Sequence, residues 1–261
     1  MEITGKRILV TGATRGIGRA LAERLAAAGA RLALVARNAE ALHALAATLG
    51  GKAFPADLGS ATPVQGLIER IEADGGGIDI LVNNAAVSNI NYVLQQSPNA
   101  IEALLRTNLL TPIHLCQQVI PRMLQRGGGH IVNMGSIAGV MPPPGLVHYA
   151  ASKAGLAQYT AGLRIDLRGL PIAVTLVQIG STATEMDDAT QNYPPYQRLR
   201  GKRSVEDVRI PLAKVIDGIV SGIRDERRTV VLPGYLRPLT SLVEIPRRAM
   251  ELVFRNINVR P

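Results

Sequence analysis

The sequence has little of several residue types that mark particular classes of protein. It contains one cysteine, Cys116, so an internal disulfide is impossible and a reducing cytoplasm is the expected setting. No apolar run reaches the roughly 18 residues of a membrane-spanning helix. Residues 1–7 lack the apolar stretch of a signal peptide, so we expect no export. With no tryptophan, two phenylalanines and six tyrosines, the chain offers few rings to stack on nucleic-acid bases.

What is present indicates a folded protein with an uneven charge. Of 261 residues, 47% are hydrophobic and 19% are charged, which excludes a disordered chain and suffices for one large core. The formal net charge is +9, with 15 basic and 13 acidic residues in 1–190 but 14 basic and 7 acidic residues in 191–261. The basic excess belongs to the last part of the chain, and we expect no nucleic acid as a partner.

Short apolar segments typical of strands alternate with longer segments typical of helices. The strand-like segments are apolar on both faces, as in a parallel sheet that helices cover on both sides. The sequence therefore predicts a single-domain α/β protein with a Rossmann-type doubly wound parallel sheet, in which ligands bind beyond the carboxyl ends of the strands. The predicted strands are 7–11, 31–36, 52–57, 78–83, 130–134, 172–179 and 229–232, and the predicted helices are 18–28, 39–49, 61–73, 98–126, 150–168 and 205–223.

The first predicted strand runs into a glycine-rich turn. Gly12, Gly16 and Gly18 permit a tight turn, allow the backbone to approach a ligand closely and open the first helix. The free N–H groups of that helix would face a diphosphate. Such a turn can also be only a tight connection, but its position after the first strand of an α/β chain favours a dinucleotide site.

The end of the second predicted strand bears on the choice of cofactor. An acidic residue there would bind the adenosine 2′-hydroxyl of NAD, but this chain has Ala36 followed by Arg37. Arg15 lies inside the glycine turn and can face the same position, and two guanidinium groups suit a 2′-phosphate. The alternative is a pair of solvated surface arginines. We expect NADP(H), with NAD(H) as the second choice.

A tyrosine and a lysine form the central chemical motif. Tyr149 and Lys153 are four residues apart at the start of a predicted helix, so they share one face. An ammonium about 4 Å from the phenol would lower the tyrosine pKa from about 10 toward neutrality, where an acid or base works best. Ser136 follows the strand 130–134, and its hydroxyl would point into the same crevice. Without this context, such a pair is usually an ordinary helix surface.

These motifs occur in the order and at the spacing of a known family. They are Thr11-Gly12-x-x-x-Gly16-x-Gly18, Asp57-Leu58, Asn83-Asn84-Ala85-Ala86, Asn108, Ser136 and Tyr149-x-x-x-Lys153. Over residues 5 to about 234, the chain resembles the short-chain dehydrogenase/reductase family, of the classical type. The resemblance implies an oxidoreductase that interconverts a carbonyl and an alcohol on a small substrate. No metal site is predicted.

The resemblance also implies a role for each matching residue. Tyr149 would be the general acid in reduction and the base in oxidation, Lys153 would lower its pKa and hold the nicotinamide ribose, and Ser136 would bind the substrate oxygen. Asn108 would support a water-linked proton relay to Lys153, and Asn83 would shape the wall beneath the cofactor. The residues expected to contact the cofactor are Gly12, Thr14, Arg15, Gly16, Ile17, Gly18, Arg37, Asp57, Leu58, Asn84, Ala85, Tyr149, Lys153, Gly180, Thr182 and Thr184.

Two positions depart from the family pattern. The usual Asn-Asn-Ala-Gly run ends in Ala86, and one additional methyl group should have little effect. After the strand 172–179 the usual Pro-Gly is replaced by Ile179-Gly180, so this loop lacks the proline that would stiffen it. Thr184 keeps its place after Gly180 and could still meet the nicotinamide carboxamide.

Residues 181–203 are the expected substrate lid. They include two tyrosines and four cations, which could cover an apolar substrate and attract an acidic one; an ordinary solvated loop is the alternative. A lipophilic ketone or alcohol is the expected substrate, because the segment after Ser136 is mainly apolar. Its apolar residues are Ile137, Val140, Met141, Leu146 and Val147.

Residues 235–261 predict a basic amphipathic tail. Packing against the body or a partner subunit is the first interpretation, and peripheral contact with an anionic membrane surface is the second. The resemblance implies a homodimer or homotetramer in which the helices 98–126 and 150–168 face a partner. The tail combines Leu239, Leu242, Val243, Met250, Val253 and Phe254 with Arg247, Arg248, Arg255 and Arg260.

The leading hypothesis is an NADP(H)-dependent carbonyl reductase or alcohol dehydrogenase. A catalytically silent dinucleotide-binding regulator is one alternative, although it would not need Ser136, Tyr149 and Lys153. A lipid or steroid dehydrogenase that uses NAD(H) at a membrane surface is another. A membrane or nucleic-acid binding module that acts through the basic tail is the third.

Overall fold

A parallel sheet forms the centre of the computed structural model, which describes residues 1–243 and 245. Its strands are β1 (Arg7–Thr11), β2 (Arg31–Ala36), β3 (Lys52–Pro55), β4 (Ile80–Asn83), β5 (Gly129–Met134), β6 (Ile172–Ile179) and β7 (Thr229–Leu232). The order across the sheet is β3-β2-β1-β4-β5-β6-β7, and every neighbouring pair is parallel. The predicted doubly wound parallel sheet is therefore confirmed.

Helices cover both faces of the sheet. They are α1 (Gly16–Ala27), α2 (Ala39–Leu49), α3 (Leu67–Gly75), α4 (Pro98–Leu105), α5 (Thr111–Gln125), α6 (Val147–Asp166), α7 (Glu185–Gln191), α8 (Pro194–Arg200), α9 (Val205–Val208) and α10 (Leu212–Arg224). One apolar core lies between the sheet and α1, α2 and α10, and a second lies between the sheet and α3, α5 and α6. The strands β1, β4 and β5 are buried along their whole length, because helices exclude water from both of their faces.

Three predicted helices are interrupted. The segment 61–73 is divided at Gly66, whose left-handed backbone separates the 3₁₀ turn Thr62–Val64 from α3. The segment 98–126 contains a π-helical turn, Arg106–Leu110, between α4 and α5. Such wide turns inside helices often occur at functional sites, and this one carries Asn108. The predicted helix 205–223 is divided into α9 and α10 by Pro211, because a proline disfavours helical backbone at the residue before it.

The strand order reverses between β1 and β4, and this reversal positions the site. Chain segments leave β1 and β4 in opposite directions, so a crevice opens at the carboxyl ends of these two neighbouring strands. The glycine turn follows β1, and Asn84 follows β4. Ser136 follows β5 and Gly180 follows β6, so the motif residues of four strands meet along one edge of the sheet.

The lid segment folds into the two short helices α7 and α8. Tyr193, between them, packs against Gly145, whose lack of a Cβ leaves the space that the ring occupies. After β7, residues 237–243 and 245 are helical, and Leu242 and Ile245 are largely exposed. The predicted tail residues from Pro246 to Pro261 lie outside the described residues. Within residues 1–243 and 245, no helix has both the length and the apolarity needed to cross a membrane.

Candidate active site

The glycine turn after β1 is held against the loop after β4. The Thr11 hydroxyl accepts hydrogen bonds from the backbone N–H groups of Asn84 and Ala85, both at 3.0 Å. The Asn84 amide donates in turn to the Thr11 carbonyl at 2.8 Å. A side chain at Gly18 would collide with the Gly12 carbonyl and the Asn84 amide. Glycine is required at position 18 because helix α1 starts in contact with the backbone of the turn.

The first turn of α1 is open toward the crevice. Arg15 occupies the position before the helix with an extended backbone, and its side chain makes no capping hydrogen bond. The first turn also contains no acidic residue. The N–H groups at this helix end are therefore available to an anion, and the helix dipole favours a negative charge there. A diphosphate satisfies both conditions.

A cavity of about 810 Å³ runs along the carboxyl edge of the sheet. Every residue that the sequence predicted to contact the cofactor borders it, as do Ser136 and Ala86. Asn108 does not border it, and the buried Asn83 lies in the sheet, where its amide donates to Asn133 Oδ1 at 2.8 Å. Val140 and Val147 are also absent from the wall, and Val147 is exposed on the outer surface.

One end of the cavity is basic and lies at the end of β2. Arg37 is exposed, and among the described residues no carboxylate forms an ion pair with it. Arg15 borders the same cavity and pairs with Glu185 at 3.6 Å, with both side chains more than half exposed. An exposed pair of this kind contributes little and is readily exchanged for another anion. The two guanidinium groups are therefore available at this end.

Asp57 and Leu58 form the neighbouring wall after β3. The Asp57 carboxylate accepts hydrogen bonds from Gly59 N–H at 3.1 Å and from the Ser60 hydroxyl at 3.2 Å. Leu58 is buried, and its carbonyl accepts a hydrogen bond from the Thr111 hydroxyl at 2.8 Å. These hydrogen bonds fix the backbone of the turn, and Asp57 and Leu58 border the cavity.

Ser136 and Tyr149 meet at the middle of the cavity. Ser136 follows β5, and its hydroxyl accepts from Ala138 N–H at 3.1 Å and donates to the Ile179 carbonyl at 3.3 Å. Helix α6 begins at Val147, so Tyr149 lies in its first turn and reaches back toward Ser136. Burial raises the pKa of Tyr149, a hydrogen bond with Ser136 opposes this rise, and the charge of Asp187 adds to it.

Lys153 lies on the same face of α6, one turn further along. Its ammonium donates a 2.7 Å hydrogen bond to the Met134 carbonyl and lies 5.7 Å from the centre of the Tyr149 ring. Burial lowers the pKa of Lys153 to about 8. The expected lowering of the Tyr149 pKa is wrong for this arrangement, because the cation is engaged with the backbone and burial of the phenol dominates.

Asn108 supports the site from behind. Its amide donates to the Val87 carbonyl at 2.9 Å and to the Ser152 hydroxyl at 3.1 Å, and its carbonyl accepts from Val87 N–H at 2.9 Å. The Ser152 hydroxyl donates to the Tyr149 carbonyl at 2.7 Å. The π-helical turn is thereby tied to the first turn of α6. Sequence reasoning missed Ser152, although its position beside Lys153 was a usable signal.

The loop after β6 crosses the glycine turn. Gly180 N–H donates to the Leu232 carbonyl at 2.8 Å, and the Thr182 hydroxyl donates to the Gly180 carbonyl at 3.1 Å. A side chain at Gly16 would contact Thr184. Strand-like pairing of Thr182 with Ile210 and the bond from Ile210 N–H to the Ser181 carbonyl hold the loop without the family's proline.

An ion-pair cluster anchors α7 at the wall of the cavity. Arg209 donates to Asp187 Oδ2 and to Asp188 Oδ1, both at 2.6 Å. Ser181 and Gln191 also donate to the Asp187 carboxylate, at 2.9 and 3.3 Å. Asp187 borders the cavity. Nothing in the sequence pointed to this cluster, because Asp187 and Arg209 are 22 positions apart and belong to no motif.

The remaining wall is mainly apolar. It continues from Ser136 on one side and is closed by α8 on the other, where Tyr196 and Leu199 border the cavity. Within the described residues, no group of three or more His, Cys, Asp or Glu side chains could hold a metal ion. The apolar side chains of this wall are Ile137, Met141, Leu146, Met186 and Leu199.

Comparison with protein families agrees with this geometry. The family model described as short chain dehydrogenase matches residues 6–194. The chain belongs to the short-chain dehydrogenase family. The match ends at the first residue of α8, so the second half of the lid and the rest of the chain lie beyond it. Nicotinamide dinucleotide oxidoreduction is the activity of this family, and the resemblance inferred from the motifs is confirmed.

Individual short-chain dehydrogenases resemble this chain closely. A 3-oxoacyl-(acyl-carrier-protein) reductase from Haemophilus influenzae is 36% identical over 186 residues, which are 70% of this chain and 77% of the relative. A short-chain dehydrogenase from Sphingobium yanoikuyae in complex with NADPH superposes with a TM-score of 0.80 at 29% identity and covers 98% of each chain. A family member from Burkholderia phymatum in complex with NAD gives a TM-score of 0.78 at 25% identity, with 100% and 99% covered.

Proposed function

We propose that the protein is an NADP(H)-dependent oxidoreductase that interconverts a carbonyl and an alcohol on a small, lipophilic substrate, with Tyr149 as general acid and base. The convergence of Ser136, Tyr149 and Lys153 on the cavity that begins at the glycine turn carries this proposal. A regulator that only senses a dinucleotide needs no phenol and no ammonium at this position. The retained side chains therefore favour an enzyme over a silent binding protein.

The chain's own residues fit a nicotinamide dinucleotide. The uncapped N-terminus of α1 suits the diphosphate, and the absence of side-chain atoms at Gly16 and Gly18 lets it approach. Asp57 and Leu58 would border the adenine, and Thr182 and Thr184 would border the nicotinamide end. When bound, the dinucleotide supplies or accepts the hydride. The protein's task is to orient the substrate and to provide the proton.

The basic end of the cavity supports a preference for NADP(H). Arg37 takes the place at the end of β2 where a carboxylate would select NAD(H), and it is free of ion pairs among the described residues. Arg15 lies on the same wall. The relatives do not decide the choice, since one solved family member holds NADPH and another holds NAD. The proposal therefore rests on the two arginines.

The proton chemistry follows from the environment of Tyr149. Because burial raises the pKa of Tyr149, the phenol is protonated at neutral pH and can donate to a carbonyl oxygen that gains charge during reduction. The Ser136 hydroxyl would donate a second hydrogen bond to the same oxygen. Lys153 holds a positive charge below pH about 8 on the same helix face. Asn108 and Ser152 act as positioning residues for this turn of α6.

The wall beyond Ser136 supports a lipophilic substrate. Ile137 and Leu146, and Met186 and Leu199 of the lid helices, all line this cavity. Apolar lining with a few convergent polar groups is typical of sites for small molecules. The relative from Haemophilus influenzae reduces a 3-oxoacyl group, which is one of the ketones that such a wall could accept.

The decisive experiment is an assay of NADPH oxidation with a panel of ketones, diketones and oxoacyl thioesters. The reaction is monitored as the loss of NADPH absorbance. We expect turnover with at least one apolar ketone. Tyr149→Phe should lower kcat by about 100-fold or more while NADPH binding is retained. The control is Tyr92→Phe, which removes a hydroxyl from an exposed ring outside the cavity. Full activity of Tyr149→Phe would refute the mechanism.

We also propose a homo-oligomer, as the family resemblance implies. Leu110, between α4 and α5, is 37% exposed on one of the helical segments expected to face a partner. Light scattering coupled to gel filtration should give a mass of two or four chains. A single-chain mass at micromolar concentration would contradict the proposed oligomer. It would not bear on the proposed reaction.

A further inference from the structure

Four cationic side chains of the lid have no role in the proposed reduction of a carbonyl. Between Asp188 and Glu206 the chain contains Arg198, Arg200, Lys202 and Arg203 but no acidic residue. Among the described residues, none of the four forms an ion pair with a carboxylate. The four cations lie beyond residue 194, where the family match ends, so the match does not cover them.

One of these cations, Arg200, is bonded to the ion-pair cluster that anchors α7. The Arg200 guanidinium donates at 3.4 Å to the side-chain carbonyl of Gln191, which belongs to the Asp187 cluster in the cavity wall. The Nε of Arg200 is buried and has no hydrogen-bond partner among the described residues. A buried donor without a partner costs free energy, and a bound anion would satisfy it.

A tyrosine hydroxyl lies near these cations and borders the cavity. Tyr196, one helical turn before Arg200, borders the cavity and lies close enough to Arg200 and Arg203 for both charges to act on its phenol. Burial and the charge of Asp187 outweigh these cations and raise the pKa of Tyr196, so its O–H is a donor at neutral pH. Arg203 Nε also donates to the backbone carbonyl of Arg200 at 3.4 Å, which holds the Arg203 side chain at the end of α8.

The nearby carboxylates are already engaged. Asp187 and Asp188 share Arg209, and Asp187 also accepts from Ser181 and Gln191. Asp207 faces Arg203 but accepts from the backbone N–H of Ser204 in a capping box. The opposite, basic end of the cavity at Arg37 suits the cofactor phosphate. Tyr196 of α8 borders the cavity on the side of Tyr149, since Asp187 acts on both phenols, and Arg200 follows Tyr196 by one helical turn.

We propose that Tyr196, Arg200 and Arg203 form a subsite for an anionic group on the substrate, so that the preferred substrates are oxo compounds that carry a carboxylate or a phosphate away from the carbonyl. This inference rests on the proposed reduction of a carbonyl. The apolar wall between Ser136 and Leu199 would hold the intervening hydrocarbon. The lid would thereby select a substrate with one apolar stretch and one charged end.

The test compares charged and neutral members of matched substrate pairs with NADPH. One series is unbranched acids with a ketone on the penultimate carbon against their methyl esters, and the other is acetoacetyl-coenzyme A against the acetoacetyl thioester of uncharged pantetheine, which keeps the thioester and lacks the phosphates. The first series tests a carboxylate and the second a phosphate-bearing carrier. We expect KM to be about tenfold lower for the charged member of at least one pair, as for one or two charge-assisted hydrogen bonds.

The variants Arg200→Gln and Arg203→Gln should remove most of this difference, while the KM of the neutral member and of NADPH stay unchanged. Arg198→Gln is the matched control, since it removes the same charge from the same helix and Arg198 does not act on Tyr196. An equal effect of all three variants would mean general charge attraction and would overturn the subsite. A changed KM for NADPH would assign the arginines to the cofactor and would also overturn it.

A second measurement separates this proposal from the proposed function. Thermal stabilisation of the protein by the oxo acids and by their methyl esters needs no turnover. Stabilisation by the acids alone, lost in Arg200→Gln and kept in Arg198→Gln, would support the subsite even if no ketone were reduced. Equal stabilisation by acids and esters would refute it, whether or not the protein is a reductase.

Discussion

Arg209 Nε lies 2.6 Å from Asp187 Oδ2, and this contact joins the lid helix α7 to the segment that precedes α10. Both side chains are mostly buried, with 16% and 13% exposed. Asp187 forms part of the cavity wall and acts electrostatically on Tyr149. The pair therefore links the position of the lid to the reactive end of the cavity.

Arg209→Gln should destabilise the fold and weaken substrate binding together. Asp187 would remain mostly buried without its cation, so we expect a loss of about 2 kcal/mol in the free energy of unfolding, measured with urea. The KM for the ketone should rise because α7 loses its anchor. Arg24→Gln is the control, since it breaks an exposed pair with Asp217 at 3.5 Å and should cost less than about 0.5 kcal/mol. Equal losses in both variants would show that the anchor is unimportant.

Arg37→Asp should move the cofactor preference toward NAD(H). The substitution removes a cation from the end of β2 and places there a carboxylate that can accept from the adenosine 2′-hydroxyl and repel a 2′-phosphate. We expect the ratio of kcat/KM for NADPH to that for NADH to fall by about 10- to 100-fold. Arg31→Asp, at the other end of β2, should leave the ratio unchanged. A constant ratio in Arg37→Asp would remove the basis for the NADP(H) assignment.

Gly18→Ala should abolish dinucleotide binding. The added methyl group would collide with the Gly12 carbonyl and the Asn84 amide, and the backbone atoms there cannot move without opening the turn. Fluorescence titration with NADPH should show no saturation, and the melting temperature should fall. Gly234→Ala, where a methyl group meets nothing within 4 Å, should bind NADPH normally. Normal binding by Gly18→Ala would mean that the turn is only a structural connection.

The pH dependence of reduction should report Lys153 before Tyr149. The pKa of Lys153 is lowered to about 8 and that of Tyr149 is raised, so the lysine loses its proton first as the pH increases. If reduction needs both protons, kcat/KM should be constant below pH about 8 and fall about tenfold per pH unit above it. The ¹⁵N shift of the Lys153 amine, assigned by its loss in Lys153→Arg, should titrate in the same range. Titration of that amine near pH 10.5, its ordinary value, would contradict the prediction.

Much of the fold could be predicted because its signals are local. All seven strands were expected within two residues of their ends, since each is a short apolar run bounded by polar or glycine residues. The interruptions at 106–110 and at Pro211 were not expected, because the apolar periodicity continues through both. The interruption at Gly66 was not expected either, although the glycine was a usable signal. The pKa of Tyr149 was predicted in the wrong direction, because burial and the engagement of Lys153 with Met134 depend on the packed structure.

The sequence by itself determined the sheet, the glycine turn and the shared face of Tyr149 and Lys153, because strand alternation, glycine's backbone freedom and the helical repeat act over a few neighbouring residues. Tertiary structure alone decided that Arg209 holds Asp187, that Asn108 supports α6 through Ser152, and that Arg200 turns toward Gln191. These contacts join elements that are distant in the chain. Their geometry follows from how helices and loops pack onto the sheet, which no local pattern encodes.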